Sequence, residues 1–217
     1  MTNEAILQLT IDHVRQVFQN DSSGHDWWHI QRVWKNAIAL CRQEQADAFV
    51  VELAALLHDL DDWKLDPASD GTPLRADAWL RQLGVAENVR AHVCAIITHL
   101  SFKGAGVANQ ISTPEGRIVQ DADRLDALGA VGIGRAFAYG GHKGRAMHDP
   151  GQSPQLHGTF EQYQNSEGTT LNHFHEKLLL LKDRMNTETA KRIAEARHAF
   201  MKQFLERFLE EWDGRDL

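Results

Sequence analysis

The sequence predicts an all-α fold, and three observations carry that reading. Apolar residues recur every three or four positions in segment after segment, the period of helices with one buried face. Thr72-Pro73 and Thr113-Pro114 each pair a capping residue with a proline suited to the first helical turn. No stretch alternates apolar and polar residues at the period a half-buried strand requires. A single domain spanning 1–217 is expected, a bundle of about eight helices with a long loop near 140–168.

The first helix is expected over 4–19, where Leu7, Ile11, Val14 and Phe18 share a face. Asp21-Ser-Ser-Gly24 breaks it with residues that favour turns and caps. A second helix covers 26–43 with Ile30, Val33, Ala37, Leu40 and Cys41 inward, and His29 lies on the same side, one turn before Val33. The third, 48–60, runs from an apolar stretch straight into His58 and Asp59, and Asp61, Asp62 and Lys64 follow. Thr72-Pro73 opens a fourth, which Gly84 ends, and a fifth over 87–100 sets His92 and His99 on nearly one face. After a glycine-bearing loop, Thr113-Pro114-Glu115 starts a sixth that runs through Asp121, Asp123, Arg124 and Asp126 to Leu128. Gly129, Gly132 and Gly134 then loosen the helical pattern without erasing it. The 140–168 stretch is broken by Gly-Gly, Asp-Pro-Gly and Ser-Pro, and loops of that length tend to be lids, binding loops or disordered segments. Helices return over 170–185 and 187–212, the last with Thr187-Glu188 as cap and first-turn acid.

With 217 residues, 42% of them hydrophobic and 24% charged, the chain can bury a substantial core. A net charge of −7 without any basic run argues against a nucleic-acid backbone as the main partner. Cys41 and Cys94 lie in apolar helical contexts and are expected as core thiols, not a disulfide. No apolar run reaches membrane-spanning length and the N-terminus carries no signal pattern, so a cytoplasmic protein without membrane partner is expected.

The helix pattern places four metal-ligand candidates on inner faces: His29, His58, Asp59 and Asp123. Polar groups beside a core are costly unless they are paired or bind metal. Two imidazoles and two carboxylates neutralise a divalent cation and suit an octahedral ion with positions left for water or a phosphate oxygen. Structural zinc sites usually use cysteines, which are absent around this motif. Taken singly, each residue has a structural alternative. His29 fits a satisfied core histidine, Asp59 a turn cap, and Asp123 an ion pair with Arg124 or Arg135.

Order and context favour the metal. Gly24-His-Asp-Trp-Trp-His29, Leu57-His58-Asp59-Leu-Asp-Asp62 and Asp121-Ala-Asp123-Arg-Leu-Asp-Ala-Leu128 together resemble the HD-domain metal-dependent phosphohydrolases. Tyr139-Gly-Gly141 and the stretch 173–187 extend the resemblance to a bacterial single-domain subgroup, over nearly the whole chain. It implies that His29, His58, Asp59 and Asp123 ligate one divalent metal (Mn²⁺, Mg²⁺, Co²⁺, Ni²⁺ or Fe²⁺). His92 and His99 make a second metal conceivable, but one is preferred. In related HD nucleotidases an acid three positions past the motif aspartate helps activate or orient water. Here that is Asp62, an Asp where Glu is seen elsewhere, with Asp61 as its rival. Lys64 is a candidate for neutralising phosphate charge or, equally, a solvated loop lysine. His25 is a candidate to orient a ligand or hold a phosphate; His99, Lys103, Arg124 and Lys143, with Arg135 and Arg145, are candidates for substrate contacts. Trp27 or Trp28 is a candidate to stack a base, with core packing as the alternative.

The expected function is hydrolysis of a nucleoside or deoxynucleoside triphosphate to the monophosphate and pyrophosphate. A phosphodiesterase, a nucleoside monophosphate phosphatase and a non-catalytic metal- or nucleotide-binding module are the alternatives. The expected partner is a small-molecule nucleotide, and a homodimer is allowed.

Overall fold

A computed structural model of the chain describes residues 1–19, 24, 26–61 and 72–217. All regular structure among the described residues is helical, as the periodicity requires. Two compact units are present, 1–102 with 109–123 and 103–108 with 124–217.

In the first unit the helices are α1 (Asn3–Phe18), α2 (Trp27–Cys41), α3 (Ala48–Leu57), α4 (Leu74–Gln82) and α5 (Glu87–Leu100), together with α6 (Pro114–Asp126) as far as Asp123. The central helix is α3. Its residues Val50, Val51 and Leu53 to Leu57 are all buried, and α3 packs against α1, α2 and α5. A helix apolar on every side belongs at the middle of a core. Asp47 caps it by accepting the Phe49 and Val50 amides at 2.9 and 3.4 Å. The Asp47 amide in turn donates to Glu115 at 2.9 Å, tying the start of α3 to α6. Asp26 caps α2 by accepting the His29 amide at 2.8 Å. Thr113 caps α6, accepting from Gly116 at 3.2 Å, with Pro114 at the first helical position as expected.

The start of α4 departs from expectation. Pro73 occupies the N-cap position rather than the first turn, with φ −79° and ψ 55°, and no side chain at that position caps the helix. The Leu74 amide instead closes a tight turn onto the Thr72 carbonyl at 2.8 Å. The expected 48–60 helix also stops earlier, at Leu57, and continues as a turn through Leu60.

The second unit contains α7 (Gly129–His142), α8 (Phe160–Gln164), α9 (Thr170–Glu176), 3-10 turns at Leu178–Leu180 and Lys182–Arg184, and α10 (Glu188–Trp212). The α10 helix packs on α7, and α9 also meets α7. Phe137, Phe174, Phe204, Phe208 and Trp212 form a chain of ring contacts along them. The helical pattern that glycines loosen after Leu128 persists as a full 14-residue helix. Two expectations are corrected here: the 140–168 stretch, expected as loop, holds the end of α7 and the five-residue helix α8, and the expected 170–185 helix ends at Glu176. At Lys177 the backbone leaves the helical region (φ −139°, ψ −60°), and tighter turns then bury Leu178, Leu181 and Met185.

Candidate metal centre

The cluster is assembled from three helices of the first unit. The Asp26 cap sets the first turn of α2, which brings His29 inward with no solvent exposure. His58 follows the last residue of α3 with helical dihedrals (φ −60°, ψ −31°), and Asp59 follows it. Asp123 comes from α6. The His29 Nε2 lies 3.2 Å from His58 Nε2, 3.3 Å from Asp59 Oδ2 and 3.6 Å from Asp123 Oδ1. His58 Nε2 lies 3.4 Å from Asp59 Oδ1 and 3.9 Å from Asp123 Oδ1.

The tautomer of His58 follows from its surroundings. Its Nδ1 is 2.9 Å from the Ala55 carbonyl, which accepts and cannot donate. Nδ1 therefore carries the proton and Nε2 presents a lone pair to the cluster. That is the form a metal-ligating imidazole takes, with its second nitrogen bonded to backbone. Adjacent ligands of an octahedral ion with bonds of about 2.1 Å sit about 3 Å apart, so the donor spacings here fit a small divalent cation. The donor set fits as well, because two carboxylates and neutral imidazoles offset a 2+ charge. Burial separates the four. The side chains of His29, His58 and Asp59 are 1, 3 and 5% exposed, whereas that of Asp123 is 31% exposed and marks the side open to water. Among the described residues, His29, His58 and Asp59 form the group of three whose ligand atoms all lie within 4.8 Å of one another.

Asp61, the rival for the role given to Asp62, is buried and committed elsewhere. Its Oδ1 accepts the Arg75 amide and its Oδ2 the Ala76 amide, both at 3.1 Å. This role went unseen because Thr72 supplied a plausible local cap. His25, Asp62 and Lys64 lie outside the described residues. His92 is engaged at the start of α6, with Nε2 3.1 Å from Thr113 Oγ1 and 3.8 Å from Glu115. His99 is half-buried on α5, and its Nδ1 is buried without a hydrogen-bond partner. Trp27 belongs to the core, whereas Trp28 is 56% exposed.

Lys103, Arg124 and Lys143 belong to the second unit. Arg124 is buried and donates to the Arg184 carbonyl. Lys143 follows α7 and sits over the Tyr139 ring at 5.6 Å. Arg135 pairs with Asp126 at 3.1 Å, and Arg145 donates to the Ser166 carbonyl at 2.9 Å. The same unit holds a cavity of about 1010 Å³ between Gly151 and Glu176; among the described residues Glu161, Glu167 and Glu176 line it, with no Lys or Arg. Such a lining repels phosphates. No helix among the described residues is long and apolar enough to cross a membrane.

The HD-domain family model matches residues 27–128, the segment that holds all four cluster residues. YpgQ of Bacillus subtilis, an uncharacterized protein, is 42% identical over 207 residues, 94% of this chain and 92% of YpgQ. Its crystal structure in complex with ADP superposes with a TM-score of 0.75 at 38% identity, covering 97% of this chain and 96% of that one. A crystal structure of a Lactobacillus plantarum protein reaches a TM-score of 0.87 at 39% identity over 99% and 100% of the two chains. An HD-superfamily hydrolase from Bacillus thuringiensis reaches 0.73 at 45% identity over 98% and 99%. The chain belongs to the HD-domain superfamily of metal-dependent phosphohydrolases.

Proposed function

We propose that this hydrolase cleaves nucleoside or deoxynucleoside triphosphates to the monophosphate and pyrophosphate, using one divalent metal held by His29, His58, Asp59 and Asp123. The carrying observation is the convergence of those four donors with one side open at Asp123. The complex of YpgQ with ADP supports a nucleotide as the ligand. The chain is further proposed to act as one domain, because the division between its units falls inside the continuous helix α6.

When bound, the cation supplies Lewis acidity, neutralising charge on phosphoryl oxygens and acidifying water. His58 holds its tautomer through the Ala55 carbonyl and keeps Nε2 available without reorganisation. Asp123 stands at the open side, where a phosphate oxygen and water can enter. With Asp61 spent on α4, Asp62 takes the role of orienting the attacking water and accepting its proton. Water oxygen bonds to the α-phosphorus, the bond to the bridging oxygen breaks, and pyrophosphate leaves. Lys64 takes the role of offsetting the charge on the non-bridging oxygens.

The test is a panel of nucleotides with Mn²⁺, Mg²⁺, Co²⁺ or Ni²⁺, with phosphate and pyrophosphate assayed separately. Pyrophosphate and monophosphate in equal amounts are expected. Phosphate as the sole inorganic product removes the pyrophosphohydrolase reading, and a cyclic or monophosphate substrate preferred over every triphosphate moves the activity elsewhere in the superfamily.

A further inference from the structure

We propose that Asp61 is a positioning residue for the metal centre, replacing the missing cap of α4 and thereby anchoring the turn that carries His58 and Asp59. The inference rests on the metal-site reading above and adds a residue which that reading does not use.

A helix start leaves amides without partners, and an N-cap side chain usually accepts from the second and third of them. In α4 the N-cap position is Pro73, which has no side-chain acceptor. The amides such a cap would take, those of Arg75 and Ala76, donate instead to the two oxygens of Asp61. Asp61 is 6% exposed, and its charge is compensated by charge-assisted bonds at the positive end of a helix. The tie is reciprocal, since the Arg75 guanidinium donates to the Leu60 carbonyl at 2.8 Å. The Leu60 amide bonds to the Leu57 carbonyl at 3.1 Å, and the His58 ring bonds to Ala55. The backbone on either side of Asp59 is thus held, by α3 before it and α4 after it. A local Ser or Asp at position 73 would cap α4 equally well. A cap drawn from the residues just after His58 and Asp59, unlike a local one, also joins α4 to the cluster, beside the Arg75 bond to Leu60.

The test uses apoprotein of the parent, Asp61→Ala, and the double variant Asp61→Ala with Pro73→Ser, which returns a local cap. Thermal midpoints are measured alongside Mn²⁺ affinity by calorimetric titration at a temperature well below every transition. Asp61→Ala is expected to melt a few degrees lower and to bind Mn²⁺ about 10- to 100-fold more weakly, the range for removing a residue that supports a ligand. The double variant is expected to recover midpoint while its Mn²⁺ affinity stays low. Recovery of both, or parent affinity in Asp61→Ala, overturns the proposal and leaves Asp61 as a helix cap alone. Asp59→Ala separates the two readings. If it binds Mn²⁺ as the parent does, the metal-site reading fails; if it alone loses Mn²⁺, only the role of Asp61 fails.

Discussion

His58 spends its Nδ1 proton on the Ala55 carbonyl, and that one bond leaves Nε2 as a lone pair facing His29, Asp59 and Asp123. Helical spacing put these four residues on inner faces and the order of their motifs made them metal-ligand candidates, so the residues of the cluster were legible in the sequence. The division of labour between neighbouring carboxylates was not. Asp59, Asp61 and Asp62 are alike in type, and which one meets a ligand atom or a distant amide depends on what packs beside the turn. With Asp61 engaged on α4, Asp62→Asn is expected to lower kcat by about 10²- to 10⁴-fold, the usual worth of a general base. Its Mn²⁺ affinity should stay at the parent value, and a variant that keeps most of its kcat would take Asp62 out of the mechanism.

At the scale of elements, α4 is tied to α5 by Asp77, which accepts from Arg90 Nε at 3.0 Å and from Arg81. The bond from Arg90, joined by that from Arg81, holds the Asp77 carboxyl below its ordinary range despite a smaller opposing effect of desolvation. In the unfolded chain the group takes up its proton first, near pH 4. The contribution is therefore present above that pH and is lost as pH falls through the lower folded value. Asp77→Asn should lower the thermal midpoint at neutral pH, with the gap from the parent closing below about pH 4. A gap that is constant with pH would mean that charge is not its origin.

In α7 the glycines have different reasons, which composition cannot separate. A Cβ on Gly132 would lie 2.3 Å from the Ala127 carbonyl oxygen, whereas one on Gly134 would meet nothing within 4 Å. Gly132→Ala is expected to destabilise by about 2–3 kcal/mol through overpacking. Gly134→Ala should stabilise by about 0.5–1 kcal/mol through helix propensity. Denaturant melts of the pair read the opposite signs; equal effects would contradict the close approach at Gly132.

Across the whole molecule, a ligand that binds only the folded chain raises stability by mass action. Mn²⁺ at about 100 times its dissociation constant should add about 2.7 kcal/mol. For a chain of this size that corresponds to a midpoint rise of about 5–10 °C, reversed by EDTA. No shift at saturating Mn²⁺, Mg²⁺, Co²⁺ and Ni²⁺ would remove the metal from the native state.

The sequence by itself determined the helical class and the inward faces of α2 and α3, and it marked His29, His58, Asp59 and Asp123 as candidates that the structure brings together. The class and the faces are local properties, because the period of apolar residues records which side of a helix is buried. Tertiary structure decided where polar groups found their partners: the Asp61 carboxylate on amides 14 and 15 residues onward, and the Arg124 guanidinium on the Arg184 carbonyl. It also decided that the chain leaves the helix at Lys177, though nothing in the Leu-rich stretch around it breaks the helical pattern. A hydrogen bond is specific in distance and direction, and both are set by elements remote in the chain. Hydrophobic burial needs only a face, and a face is written in the spacing of residues.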